Sequence, residues 1–276
     1  MVHVMAQRRG FLAGVVLATA TALVVPAPAV ASPARPAAKR STSYVALGDS
    51  YTSGTGTGRY DLAGAPCRRS SLSYASLWAA RRRPRAFSFL ACSAATTADV
   101  ARQALKVPRD ADLVTITAGG NDAGFGFVLG TCSTVTSDDL CIAAIRLGQA
   151  AAVTTAPAGL ARVVTAVRHR APRARVVVLG YPRLFETGPC AVPGTPNARR
   201  RIELNLATDL LDAQLASAAT AAGARFVDVR GRFAGHGVCA PRSRAWINPP
   251  GRGADSYHPN ATGYARGYLP ALATKS

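Results

Sequence analysis

The chain has 276 residues, of which 49% are hydrophobic and 17% charged, with a formal net charge of +19. That length and apolar share suffice to bury a full core in one α/β domain. The charge is almost all arginine, scattered without an aromatic-interleaved patch or recognition motif, which argues against nucleic acid as a partner.

The N-terminus reads as a targeting segment. Arg8 and Arg9 form a positive n-region, Phe11 to Val25 an apolar h-region, and Ala29-Val30-Ala31 a small-x-small cleavage site. Residues 1–31 are therefore expected to be a cleaved signal peptide of an extracellular protein, by the general secretory or the twin-arginine route. Residues 32–43, rich in Pro, Ala and Ser, read as a disordered leader, and 44–276 as a single domain. No other stretch is expected to cross a bilayer. Losing Arg8 and Arg9 lowers the charge from +19 to +17. That excess fits compositional drift in a GC-rich genome; the functional reading is attraction to an anionic membrane or cell-wall surface.

Short apolar runs alternate with helical patterns down the rest of the chain. Strands are expected at Ser43–Leu47, Ala86–Ala91, Leu113–Ala118, Arg175–Gly180 and Arg225–Val229. Helices are expected at Ser73–Arg83, Thr97–Leu105, Asp139–Arg170 with a kink or break at Pro157, Ala198–Ala222 and Gly263–Ala273. This alternation predicts a three-layer, doubly wound α/β fold. In such a fold the strand C-termini share one edge, where ligands bind.

Three strings converge on that edge. Gly48-Asp49-Ser50-Tyr51 ends the first apolar run, Gly119-Gly120-Asn121-Asp122 the third, and Asp255-Ser256-Tyr257-His258-Pro259 precedes the last helix. A serine hydroxyl is a weak nucleophile and needs a base. Of the four histidines, His3 leaves with the signal, His169 sits at a helix end between arginines, and His236 reads as a loop residue near Cys239. His258 is left as the base, with Asp255 three residues earlier to orient it. Ester attack creates an oxyanion, for which the Ser50 N–H, the Asn121 side-chain amide and the loop after the second strand are candidate donors. Asp49 and Asp122 read as structural carboxylates that cap loop N–H groups. No residue cluster suggests a metal, and no cofactor is expected.

The six cysteines, Cys67, Cys92, Cys132, Cys141, Cys190 and Cys239, suggest three disulfides, with 15 connectivities open. None has the Cys-x-x-Cys spacing of a zinc or redox centre.

These blocks resemble those of the SGNH hydrolases of the GDSL lipase/esterase superfamily, in particular the secreted actinobacterial branch with three disulfides. The resemblance rests on Gly48 to Gly54, Ala91 to Thr97, Gly119 to Asp122 and Asp255 to Pro259. Val177 to Pro182 and Phe233 to Cys239 also resemble that branch. It implies a flavodoxin-like sheet of five parallel strands and the pairs Cys67–Cys92, Cys132–Cys141 and Cys190–Cys239. It further implies an oxyanion hole of Ser50, Ala94 and Asn121, and a monomer. Tyr51 stands where the superfamily's name has leucine, and Ala94 where the second block has glycine. Alanine keeps the N–H, but a positive φ there costs about 1 kcal/mol. Some members of the branch orient the histidine by a main-chain carbonyl; here Asp255 stands at the carboxylate position, so a triad is expected. The expected activity is cleavage of carboxylic esters, most of all lipids (lipase, esterase or phospholipase A), through an acyl-enzyme on Ser50. A carbohydrate acetyl esterase is the alternative within the class, and a non-catalytic cell-surface binding protein the alternative outside it.

Overall fold

The computed structural model describes residues 42–274 and seven positions between 2 and 15. The expected cleavage site, and the leader as far as residue 41, lie outside the described residues. Ser43, read both as the last leader residue and as the start of the first strand, opens that strand.

The elements in chain order are β1 (Ser43–Gly48), α1 (Ser50–Ser53), α2 (Tyr74–Arg82), β2 (Ala86–Phe89), α3 (Thr97–Ala104), β3 (Leu113–Thr117) and α4 (Phe125–Thr134). There follow α5 (Asp138–Val153), α6 (Thr155–Arg170), β4 (Arg175–Leu179), α7 (Ala198–Ala221), β5 (Arg225–Val227), α8 (Arg230–Phe233), a π-helical turn (Gly263–Tyr268) and α9 (Leu269–Ala273). The five strands form one parallel sheet in the order β2-β1-β3-β4-β5. This is the flavodoxin-like order, in which the chain reverses direction between β1 and β3 and opens a crevice at their carboxyl ends.

β1 and β3 are buried along their whole length, as runs such as Tyr44-Val45-Ala46-Leu47 require once helices cover both faces of the sheet. On one face α3, α6 and α7 lie side by side, with α5 and α4 outside them; on the other lie α2, α8, the π-helical turn and α9.

Four local departures have physical causes. α4 was not expected: it begins at a left-handed Gly124 with no side-chain cap and contains two glycines in an apolar run without polar alternation. The long helical stretch breaks at Thr154 (φ −120°, ψ −73°), not at Pro157, which fits in the first turn of α6, where backbone N–H groups lack helical partners. The last expected helix is π-helical over its first six residues. Finally, Asp138–Arg170 is by length and hydropathy long and apolar enough to cross a bilayer, against expectation. In the fold it is the broken α5–α6 pair, and it buries Leu160, Val163, Val164 and Val167 in the core.

One carboxylate ties the crevice together. Asp49 caps α1 by accepting from the Tyr51 N–H (3.0 Å) and also accepts from the Thr117 hydroxyl of β3 (2.6 Å) and the Tyr181 hydroxyl beyond β4 (2.5 Å). Burial raises its pKa to about 6 despite these bonds. Gly48, before it, has φ +134°, and a Cβ there would lie 2.5 Å from the Thr117 carbonyl oxygen, so only glycine fits. Replacing Asp49 by alanine removes the cap and leaves buried hydroxyl donors without an acceptor. Asp49→Ala should therefore destabilise the fold by about 3 kcal/mol, a fall in Tm of roughly 10 °C in a thermal melt.

Candidate active site

Ser50 follows β1 at the first position of α1. Its N–H has no acceptor among the described residues, as expected for the first turn of a helix. Its Oγ lies 2.8 Å from Nε2 of His258. Both residues are buried, at 6% and 7% exposure.

The other ring nitrogen of His258 meets a main-chain carbonyl. Nδ1 lies 2.9 Å from the Ser256 oxygen. A carbonyl can only accept, so Nδ1 carries the proton and Nε2 is left as the lone-pair acceptor facing the serine. The expected bond between Asp255 and His258 is absent. Asp255 Oδ1 instead accepts from the Gly56 N–H (3.2 Å), the Tyr60 hydroxyl and the Arg68 guanidinium. These donors lie on the 56–68 loop, so the carboxylate faces that loop and not the imidazole. The carboxyl pKa is lowered, because these hydrogen bonds and the Arg68 charge outweigh its burial.

The histidine loop is clamped from behind. The Asn248 amide donates to the Gly56 carbonyl (2.7 Å) and the Asp255 carbonyl (3.2 Å), and its backbone N–H to the His258 carbonyl (2.9 Å). A Cβ on Gly56 (φ +99°) would stand 2.7 Å from the His258 Cβ. Asn248, Tyr60 and Arg68 were missed from the sequence. They sit in segments without periodicity, and Arg68 stacks over the Tyr60 ring in a pairing no local pattern announces.

The His258 ring packs beside Tyr51 and Phe125 at centroid distances of 5.1 and 5.3 Å. This burial lowers its pKa to about 4, against smaller upward contributions from the Ser256 carbonyl and Asp255. The imidazole is thus neutral, and able to take a proton, across the whole physiological range.

Ala94 and Asn121 line the same cleft as Ser50 and His258, with a volume of about 530 Å³. Ala94 has φ +64°, the left-handed conformation in which its methyl costs about 1 kcal/mol, and its N–H has no acceptor among the described residues. The loop carrying it is fixed by the Cys67–Cys92 disulfide, by Cys92 N–H to the Gly48 carbonyl (2.9 Å) and by Ser93 N–H to the Cys67 carbonyl (3.0 Å). Asn121 gives one amide N–H to the Ala95 carbonyl (2.9 Å), which orients the side chain. Asp122 accepts from the Thr97 N–H (2.9 Å) and hydroxyl (2.6 Å). His236 stays outside the cleft, stacked on Trp246 at 3.6 Å, and His169 lies exposed at the end of α6. Two further disulfides, Cys132–Cys141 and Cys190–Cys239, join α4 to α5 and the loop after β4 to the loop after α8.

The chain and its fold match known proteins over nearly their whole length. Residues 46–266 match the model of the GDSL-like lipase/acylhydrolase family. The chain belongs to that family. It is a carboxylic ester hydrolase of the GDSL type. It is 41% identical to a lipase of Streptomyces rimosus over 270 residues, which is 97% of this chain and 98% of that one. Its structure is similar to that of an extracellular lipase from Streptomyces rimosus, at TM-score 0.81 and 43% identity, covering 85% of this chain and all of the other. It is likewise similar to a phospholipase A1 from Streptomyces albidoflavus NA297, at TM-score 0.81 and 40% identity, covering 86% and 100%. The chain's three disulfides suit an oxidising compartment.

Two outcomes follow from this geometry. In a carboxylate triad, an asparagine in place of the aspartate costs on the order of 10⁴ in kcat. Because the Ser256 carbonyl holds His258 here, Asp255→Asn should reduce kcat on a nitrophenyl ester less than about tenfold. A loss near 10⁴ would restore the triad. The lowered histidine pKa keeps the base unprotonated in moderate acid, so the acid limb of kcat/KM for a neutral ester should fall near pH 4. A limb at the ordinary histidine value, near pH 6.5, would contradict the buried ring.

Proposed function

We propose that the protein is a secreted lipase or esterase that cleaves lipid esters, including phospholipids, through an acyl-enzyme on Ser50. The observation that carries this is the 2.8 Å contact between Ser50 Oγ and the lone-pair nitrogen of His258 at the base of an open cleft. Ser50 Oγ attacks the ester carbonyl while Nε2 of His258 takes its proton. The Ser256 carbonyl accepts from Nδ1–H throughout and stabilises the imidazolium that forms. The N–H groups of Ser50 and Ala94 and the free amide N–H of Asn121 receive the oxyanion. His258 then protonates the leaving alcohol, and a water deprotonated by the same ring releases the acid.

A lipid substrate is supported by the apolar walls that Phe125 and Leu129 give the cleft, and by relatives described as lipases and a phospholipase A1. Secretion is supported by the Arg8-Arg9 and Ala29-Val30-Ala31 pattern of residues 1–31 and by the extracellular relative. The mature chain starts at Ser32 and acts as a monomer.

The test is hydrolysis of nitrophenyl esters from acetate to palmitate, and of phosphatidylcholine vesicles, by the mature protein and its Ser50→Ala variant. Ser50→Ala should lower turnover by at least about 10³ on every substrate. Activity that survives the substitution, or is absent from the wild type on all of them, overturns the proposal.

A further inference from the structure

Tyr51 follows Ser50 at the position where the family's name has leucine. Its side chain is buried, and its ring packs beside His258, Tyr181 and Phe125 at centroid distances of 5.1, 5.1 and 6.0 Å. Leucine could fill much of that space, but it has no donor. The Tyr51 hydroxyl donates to the main-chain carbonyl of Tyr257, 2.8 Å away in the core. No other group among the described residues donates to that carbonyl. The Tyr51 N–H meanwhile bonds the capping carboxylate of Asp49 (3.0 Å). One residue therefore holds the turn of Ser50 by its backbone and the loop of His258 by its side chain.

Tyr257 stands between Ser256, whose carbonyl faces Nδ1 of His258, and His258 itself. Its φ is +61°, a left-handed conformation that a bulky residue keeps only where its surroundings impose it. The contact from Nδ1 to the Ser256 carbonyl spans two residues, so it depends on the turn at Tyr257. The Tyr257 N–H donates to the Asn248 carbonyl (3.0 Å), and its hydroxyl lies 2.5 Å from the Ser133 Oγ of α4. The peptide leading into His258 is held at its N–H by the Asp255 carbonyl (3.3 Å) and at its own carbonyl by Tyr51. The first of these bonds lies within the loop; the second ties the loop to the turn that carries Ser50.

We propose that the Tyr51 hydroxyl is the positioning group that keeps His258 aligned with Ser50, by holding Tyr257 in its left-handed turn and so the Ser256 carbonyl on Nδ1. It does through the main chain what a carboxylate does in a triad, fixing the aim of the ring and its tautomer. This rests on the reading of Ser50 and His258 as nucleophile and base, and adds what aims the base. Tyr51 does not line the catalytic cleft, so its effect falls on turnover and not on substrate binding.

The test is Tyr51→Phe, which keeps the ring and removes only the hydroxyl, with Tyr51→Leu as a second hydroxyl-free variant if one of the two does not fold. Displacing a reacting group by about 1 Å costs on the order of 10²-fold. For nitrophenyl acetate, kcat should fall by about ten- to a hundredfold in both variants, with KM within about threefold of the wild type. The nitrogen NMR spectrum of the His258 imidazole at neutral pH, recorded without substrate, gives a signature that loss of packing alone does not. The wild type holds its proton on Nδ1, and Tyr51→Phe should populate both tautomers. Wild-type kcat in Tyr51→Phe makes the hydroxyl a packing group and overturns the proposal. A fall in kcat with the single Nδ1–H tautomer kept also overturns it, because the loss then arises away from the base. If Ser50→Ala cleaves the ester as fast as the wild type, the nucleophile reading is what fails, while the tautomer still tests the hold of Tyr51 on His258.

Discussion

The carboxylate of Asp49 is the constraint around which the crevice is arranged. It lies 1% exposed where β1 gives way to α1, and its bonds reach the end of β3 and the segment after β4. A buried carboxylate without partners would be costly, so its three donors are held in fixed directions. Those directions fix the turn from β1 into α1 and hence where Ser50 points. The aspartate of Gly-Asp-Ser thus serves the serine through geometry. The strand order gives the same edge a crevice, and the serine is delivered to its floor.

The base is set by a different balance. His258 owes its low pKa to burial among Tyr51 and Phe125 more than to any charge, and its tautomer to a peptide carbonyl. Asp255 and Arg68 neutralise one another beside the ring and fasten the histidine loop to the 56–68 loop. This makes the acidic residue a clamp on the backbone that carries the base. It also explains why the same loop is held by Asn248 and by the close approach of Gly56: a base without a carboxylate partner depends on a rigid main chain for its aim.

Part of the arginine excess has an architectural use. Arg200 is buried and donates to the carbonyls of Cys132, Val135 and Thr136, while Arg201 does so to Glu186, Pro196 and Gly188. Arg183 and Arg230 share Asp209. Planar guanidinium groups with several donors suit loops whose carbonyls have no sheet or helix to satisfy them. The same segments supply Ser133, Thr134 and Gly194 to the lining of the cleft, so Arg200 and Arg201 hold part of its wall.

The sequence by itself determined the alternation of strands and helices, the single sheet and its parallel sense, because buried strands must be continuously apolar and each crossover needs a helix. It also placed Ser50, Asn121 and His258 on one edge, since each closely follows a strand or precedes the last helix. Its errors were of one kind. α4 has no cap or amphipathic period to announce it, the long helix yields at Thr154 while Pro157 is absorbed in a first turn, and Asp255 lies at triad spacing yet turns away. Tertiary structure decided what His258 leans on, because the partner of a side chain depends on donors brought in from elsewhere, here Tyr60 and Arg68 nearly 200 residues upstream. It also decided that Phe125 and Leu129, in a segment where no element was expected, line both the catalytic cleft and an apolar cavity between α4, α5 and α7. A wall shared by two cavities is a property of packed helices, and no single segment encodes it.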